Sequence, residues 1–146
     1  MPIDYTKYPK NWKTEIRPAI LERAKDRCEF CMVENRSSVF RGIYEGRPIY
    51  QKWDGAVFDA IDGSLILGDR DGAYACIEPS TGDPDQQAIK IVLTIAHLDH
   101  DVSNNCYSNL AALCQRCHLN HDRAHHAKKA KATRMQKMGM ADLFEQ

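Results

Sequence analysis

The sequence predicts a single α+β domain: an N-terminal helix, a small inserted antiparallel β meander, and a strand, loop, strand, helix unit toward its end. Three patterns predict it. Two Cys-x-x-Cys pairs, Cys28/Cys31 and Cys114/Cys117, bracket most of the chain, short β-prone runs punctuated by Asp-Gly steps fill the middle, and a long helical stretch follows the second pair. At 146 residues the chain suits one ordinary domain, able to bury roughly 70% of the surface its unfolded form exposes. An apolar fraction of 43% with 27% charged residues argues against disorder. No apolar run approaches the roughly 20 residues of a membrane span. The opening Met1-Pro2-Ile3-Asp4 has no basic region followed by an apolar core, so a cytoplasmic protein without a membrane partner is expected.

Residues 1–27 form the N-terminal segment and helix. The first 13, rich in Tyr, Lys and Pro, read as an irregular lead-in that packs Trp12. In the helix Thr14 is the expected N-cap, Pro18 falls near the first turn, and Ile16, Ile20, Leu21 and Ala24 make the apolar stripe, ending near Lys25. Cys28-Glu29-Phe30-Cys31 is a tight knuckle. Over 37–78 the runs 39–44, 48–53, 56–61, 64–67 and 73–77 alternate with Glu45-Gly46, Asp54-Gly55, Asp62-Gly63 and Asp71-Gly72, whose residues tolerate the positive φ of hairpin turns. A Pro, Gly, Ser and Asp rich loop follows over 79–87. The core unit spans 89–138: a strand over 89–96 reaching His97, a polar loop over 98–108, a strand over 110–113, and a helix from about Gln115 to Met138.

Six cysteines in a chain expected in a reducing compartment are better metal ligands than disulfide partners. A redox Cys-x-x-Cys would be the rival for either pair alone, but Cys28, Cys31, Cys114 and Cys117 together make the four ligands of a closed structural zinc site. Cys76 and Cys106 lack partners at short spacing and read as small buried or half-buried side chains.

The formal net charge is zero, yet the charges are segregated. Between Asp54 and Gln87 stand eight acids against one base, Arg70, whereas Arg123 to Lys137 carries six bases and no acid. Screening confines fields to about 10 Å, so a local basic face can bind phosphates whatever the total charge. Arg116, Arg123, Lys128, Lys129, Lys131 and Arg134 are the candidate nucleic-acid contacts, although a solvated helix surface fits the same charge pattern. The acidic meander reads as a structural element or a surface for a protein partner.

At about 100° per residue, His118, His121, Asp122 and His125 share one helix face, a stripe able to hold a divalent cation. The stretch Ala96-His97-Leu98-Asp99, then Asn104-Asn105, Ser108-Asn109-Leu110 and Leu113-Cys114-Gln115-Arg116-Cys117-His118 resembles the HNH endonucleases. The resemblance is to the form whose ββα-metal core is flanked by two zinc knuckles. The steps of twelve residues from His97 to Asn109 and nine from Asn109 to His118 match that family's spacing. The resemblance covers the first knuckle and about 89–125, leaving the meander outside it. It implies His97 as general base, Asn109 as organiser of the loop that orients it, and His118 as ligand of a catalytic magnesium or manganese ion. It also implies DNA as substrate, products with 5′ phosphate and 3′ hydroxyl ends, and a kinship with enzymes of phages and mobile elements.

One departure matters. Many such enzymes place Asp or His just before the general base as a second metal ligand, where this chain has Ala96. Asp99, Asp122 or His121 would have to replace it, and Asp122 is favoured because it shares the helix face with His118. A rival arrangement uses Asp99-His100 as the working pair, at the cost of a shorter step to Asn109. Two further readings stand beside the nuclease: a zinc-stabilised nucleic-acid-binding module that does not cut, and a zinc-pinned protein-interaction domain.

Overall fold

The computed structural model describes residues 5–79 and 87–139. The expectations for Met1 to Asp4 and for most of the loop over 79–87 lie outside the described residues. The chain begins with a 3-10 turn, Tyr5–Lys7, then a wide π-type turn, Trp12–Ile16, that continues into α1 (Arg17–Arg23). Thr14, expected as the N-cap, lies inside the wide turn, and Asn11 precedes it. There the Asn11 carbonyl accepts from both Glu15 and Ile16 N–H, at 2.9 and 3.2 Å. Pro18 stands at the start of α1 where its missing N–H costs nothing, and consecutive left-handed residues, Lys25 and Asp26 at φ 55° and 57°, end the helix.

Trp12 is 5% exposed. Its ring lies 4.7 Å from Tyr8 and stacks at 12° on His97, centroid to centroid 5.4 Å. The lead-in is therefore a lid of aromatic rings over the hairpin described below. Truncating a buried tryptophan costs about 3–5 kcal/mol. Trp12→Ala is expected to lower the urea midpoint accordingly, and an unchanged midpoint would show that the lid does not pack.

The meander forms as β1 (Ser38–Tyr44), β2 (Arg47–Gln51), β3 (Val57–Asp59) and β4 (Leu65–Leu67), all antiparallel neighbours. At the β1/β2 turn Glu45 and Gly46 have φ 49° and 76°, the pair of positive values a tight hairpin turn demands. The Asp62-Gly63 turn seats against the first knuckle: a Cβ at Gly63 would stand 2.5 Å from the Cys31 carbonyl, which also accepts the Tyr50 hydroxyl at 2.9 Å.

Two expectations fail here. The run 73–77 is no strand; Asp71 and Gly72 lie in a short helix, α2 (Asp69–Ala73), followed by β5 (Glu78–Pro79), which pairs with β1. The reason is a close approach. The backbone of Gly72 packs against the Gly55 carbonyl with no room for a Cβ, so this glycine serves packing rather than a hairpin turn. The second failure is the single strand expected over 89–96. It is broken into β6 (Ile89–Lys90), paired with the start of β1, and β7 (Thr94–His97), paired with β8 (Leu110–Leu113). Ile91 and Leu93, fully buried, lie where the chain leaves one sheet for the other.

β7 and β8 place Thr94 opposite Leu113 and His97 opposite Leu110. Behind β8 comes α3 (Gln115–Lys137). A continuous core joins Trp12, Ile16 and Ile20 of the N-terminal segment, Val39 and Tyr50 of the meander, and Leu110 and Leu113 of the hairpin. The result is a mixed α+β fold with small antiparallel sheets and a C-terminal helix. Among the described residues no helix is long and apolar enough to cross a membrane. Cys76 and Cys106, expected to be buried or half-buried, are both exposed.

Candidate metal centre and active site

The two knuckles meet. Cys28, Cys31, Cys114 and Cys117 are all buried, and their ligand atoms lie within 4.8 Å of one another. The Cys31 and Cys114 sulfurs stand 3.6 Å apart. A disulfide would need about 2.05 Å, whereas four sulfurs at about 2.3 Å from one ion are separated by about 3.8 Å. This cluster is thus built to hold a structural metal such as zinc.

Local structure aims the thiols inward. In the first knuckle Met32 N–H bonds to the Cys28 carbonyl and Cys28 N–H to that of Val33, each at 2.9 Å. The knuckle is tied to β8 by Glu29, whose N–H reaches the Ala112 carbonyl at 2.9 Å and whose carboxylate accepts from Ala112 N–H at 2.7 Å and from Arg23 at 2.9 Å. In the second, Cys114 caps α3, its sulfur accepting the Cys117 N–H at 3.5 Å. A helix N-terminus favours a thiolate. Hydrogen bonding from Cys117, then from Cys28 and Cys31, pulls the Cys114 thiol far below its ordinary range.

One buried polar atom argues that the cluster carries negative charge. Arg41 of β1 places one guanidinium nitrogen 3.6 Å from the Cys114 sulfur, while its other terminal nitrogen is buried without a hydrogen-bond partner among the described residues. A buried cation lacking a full set of acceptors is costly unless an anion lies beside it. Four thiolates around a dication, net charge of about −2, supply that anion.

A second group lies farther along α3, against β7 and the loop that follows it. All six histidines of the chain gather there. His97, His100, His118, His125 and His126 line one cleft of about 180 Å³ together with Asp122, and the ring of His121 stacks on that of His100 at 4.8 Å. His97 and His118, the candidates for base and metal ligand, thus face a common space.

His97 is 7% exposed. Its Nε2 lies 2.9 Å from the Asn105 side-chain oxygen, and the Asn105 amide nitrogen is turned away to the carbonyls of Val102 and Ser103, at 3.2 and 3.3 Å. An oxygen facing the ring requires a proton on Nε2, so the neutral imidazole carries its lone pair on Nδ1. Asn109 braces the loop between β7 and β8. Its amide nitrogen donates to Asp99 at 2.9 Å and to the Asn104 carbonyl at 3.0 Å, while its oxygen accepts the Asp99 N–H at 3.1 Å. Asp99, a candidate metal ligand, is occupied in the same way. The Asn104 amide first, then the Asp101 N–H and the Asn109 amide, hold its carboxyl down at about 2.

On α3, Asp122 is the hub. One carboxylate oxygen lies 3.1 Å from His118 Nε2, the other 3.2 Å from His100 Nδ1. His118 Nδ1 meets the Thr94 hydroxyl at 2.6 Å, and burial lowers the His118 pKa, favouring the neutral ring. The residues whose ligand atoms converge closely here are His100, His121 and Asp122.

Of the candidate nucleic-acid contacts, Arg123, Lys128, Lys129, Lys131 and Arg134 are exposed along α3. Arg116 is half-buried and turned to the meander, donating to the Ala60 carbonyl at 3.1 Å. Several residues of the site were not singled out from sequence. Beside the histidine cleft opens a second one, of about 480 Å³, where Lys13 and Arg17 stand with Tyr8, Trp12 and His118. Thr94, which orients His118, was likewise missed, and Asn105, quoted within the motif, had no role toward His97 assigned to it, since a polar residue in a loop or strand carries no mark of its partner. His100 entered only as part of a rival working pair, though its place in Asp99-His100-Asp101 was a usable signal.

Compared with protein-family models, with curated proteins and with solved structures, the chain matches none.

Proposed function

We propose that this protein is a metal-dependent endonuclease that hydrolyses phosphodiester bonds of DNA, in the manner of the HNH endonucleases its motif resembles. The observation that carries the reading is the environment of His97. Trp12 clamps the ring plane, Asn105 accepts the Nε2 proton in a hydrogen bond, and the cleft is shared with His118 and Asp122. A base so fixed is ready to receive a proton on Nδ1.

Water attacking the phosphorus loses its proton to His97 Nδ1. The bond to the 3′ oxygen breaks, leaving a 5′ phosphate, and the departing oxygen is protonated from solvent. A bound magnesium or manganese ion supplies positive charge at the phosphate and the leaving oxygen. His118 and Asp122 would hold that ion, while Asp99 stays with the loop. Asn109 and Asn105 keep the loop and the imidazole in register. Lys13 and Arg17 offer charge to phosphates next to the cleft, and the exposed bases of α3 offer more along the strand.

A labelled DNA duplex tests the reading. Cleavage in magnesium or manganese that stops with EDTA and yields ligatable 5′ phosphate ends supports it. Duplex that is bound but intact selects the non-cutting nucleic-acid-binding module. Replacing Lys128, Lys129 and Lys131 together with alanine should flatten the salt dependence of DNA binding by about 0.9 logarithmic units for each phosphate no longer neutralised. An unchanged slope would place the phosphate-binding surface elsewhere.

A second reading has one observation in its favour. The acidic meander exposes Trp53, Ile61 and Leu65, at 72%, 65% and 61%. Large apolar side chains among carboxylates suit a basic protein partner. Intact DNA in every divalent ion, combined with loss of a copurifying protein in Trp53→Asp, would favour this reading over the nuclease.

A further inference from the structure

We propose that His100, His121 and Asp122 form a divalent cation site, and that this set selects a first-row transition ion of the zinc and cobalt kind over magnesium. The inference rests on the nuclease reading and moves its ion: His100 and His121 join Asp122 in place of His118, whose two ring nitrogens already face Asp122 and the Thr94 hydroxyl, and the binding can be measured without DNA.

Geometry is the first argument. The three side chains, all half-buried, each present a ligand atom, and those atoms lie within 4.8 Å of one another. His100 Nδ1 already stands 3.2 Å from one Asp122 oxygen. Ala96 points its methyl group into the core, 1% exposed, and can offer nothing. The loop after β7 brings His100 to the face of α3 instead.

Orientation is the second. His121 Nε2 lies 3.1 Å from the Leu98 carbonyl, which fixes the proton on that nitrogen and leaves Nδ1 with the lone pair. A ring N–H given to a backbone carbonyl is the usual outer support of a metal-binding histidine. His100 is held in the left-handed region at φ 63°, its N–H bonded to the His97 carbonyl at 3.0 Å. A histidine there is strained, and the loop braced by Asn109 and Asp99 maintains it. From this backbone position the imidazole reaches Asp122.

Donor chemistry is the third. Two imidazoles and one carboxylate are the donors of borderline transition ions, whereas magnesium prefers oxygen ligands and retains its waters. Three protein ligands also leave coordination positions open toward the cleft that His97 lines, as a hydrolytic site requires.

The test uses the full chain with its thiolate site filled by zinc. Titration with cobalt(II) is followed by calorimetry and by visible absorption. The expected result is one further cobalt bound with d–d bands and no thiolate-to-cobalt charge-transfer absorption, and no competition from an equal concentration of magnesium. His100→Gly, which keeps the left-handed backbone unstrained, and His121→Leu should each weaken binding by more than the roughly 10–100-fold typical of a lost outer support. Circular dichroism checks that both variants fold. Absence of a second cobalt, or wild-type cobalt affinity in His100→Gly and His121→Leu, overturns the site. DNA cleavage that persists alongside that outcome leaves the nuclease standing without it. Cobalt bound as expected with DNA intact in every divalent ion establishes the site and removes the nuclease.

Discussion

Replacing His97 with alanine is expected to slow single-turnover DNA cleavage by about 10²–10⁴-fold, the usual worth of a positioned general base, while zinc content stays unchanged. The expectation rests on an imidazole with one nitrogen committed to Asn105 and the other left to accept a proton. Added imidazole should restore part of the lost rate in His97→Ala, because the hole under Trp12 admits a free ring. Trp12 stacks on the residue removed, so folding is checked by circular dichroism in the same samples. Cleavage at the wild-type rate would remove His97 from the chemistry.

Loss of the thiolate cluster should be larger still in its effect on structure. Structural zinc sites contribute about 10–16 kcal/mol of apparent binding energy at neutral pH, against a total domain stability of about 5–15 kcal/mol. Cys114→Ser, or prolonged treatment with a strong chelator, is therefore expected to unfold the chain, seen as loss of helical circular dichroism together with loss of zinc. The position of Cys114 makes the effect severe: it is at once a member of the cluster, the cap of α3 and the acceptor facing Arg41. Cys76→Ser and Cys106→Ser are the controls. Both residues are exposed and belong to neither knuckle, so each variant should stay folded. A Cys114→Ser protein that melts like the wild type would mean that the cluster holds no metal of consequence.

Much of the fold was legible because its signals are local. The Cys-x-x-Cys pairs announce themselves by spacing, Glu45-Gly46 by its demand for positive φ, and α3 by a run free of glycine and proline. What was not legible depends on partners far along the chain. Gly72 reads as a turn until Gly55 is seen against it. The run 89–96 reads as one strand until β1 and β8 are seen to claim different parts of it. Cys76 and Cys106 were expected inside on residue type alone, and their segments simply do not enter the core.

The same division holds for the site. The histidines on α3 follow from helical spacing, since side chains four apart must meet, as His118 and Asp122 do at 3.1 Å. That Asn109 braces the loop came from the motif, and its hydrogen bonds with Asp99 and Asn104 give that role a physical form. The placing of His100 against Asp122 was beyond reach, because it depends on how a loop of eleven residues over 98–108 folds back on the helix. Trp12, far upstream, could be assigned to the interior but not to His97.

On the proposed reading, a buried imidazole held between Trp12 and Asn105 lets water break a DNA strand. Supercoiled plasmid incubated with the zinc-loaded protein and manganese, magnesium or cobalt tests it most directly. Conversion to nicked or linear DNA that fails with EDTA and with His97→Ala is expected. Plasmid that stays supercoiled in all three ions, with folded and zinc-loaded protein, would contradict it.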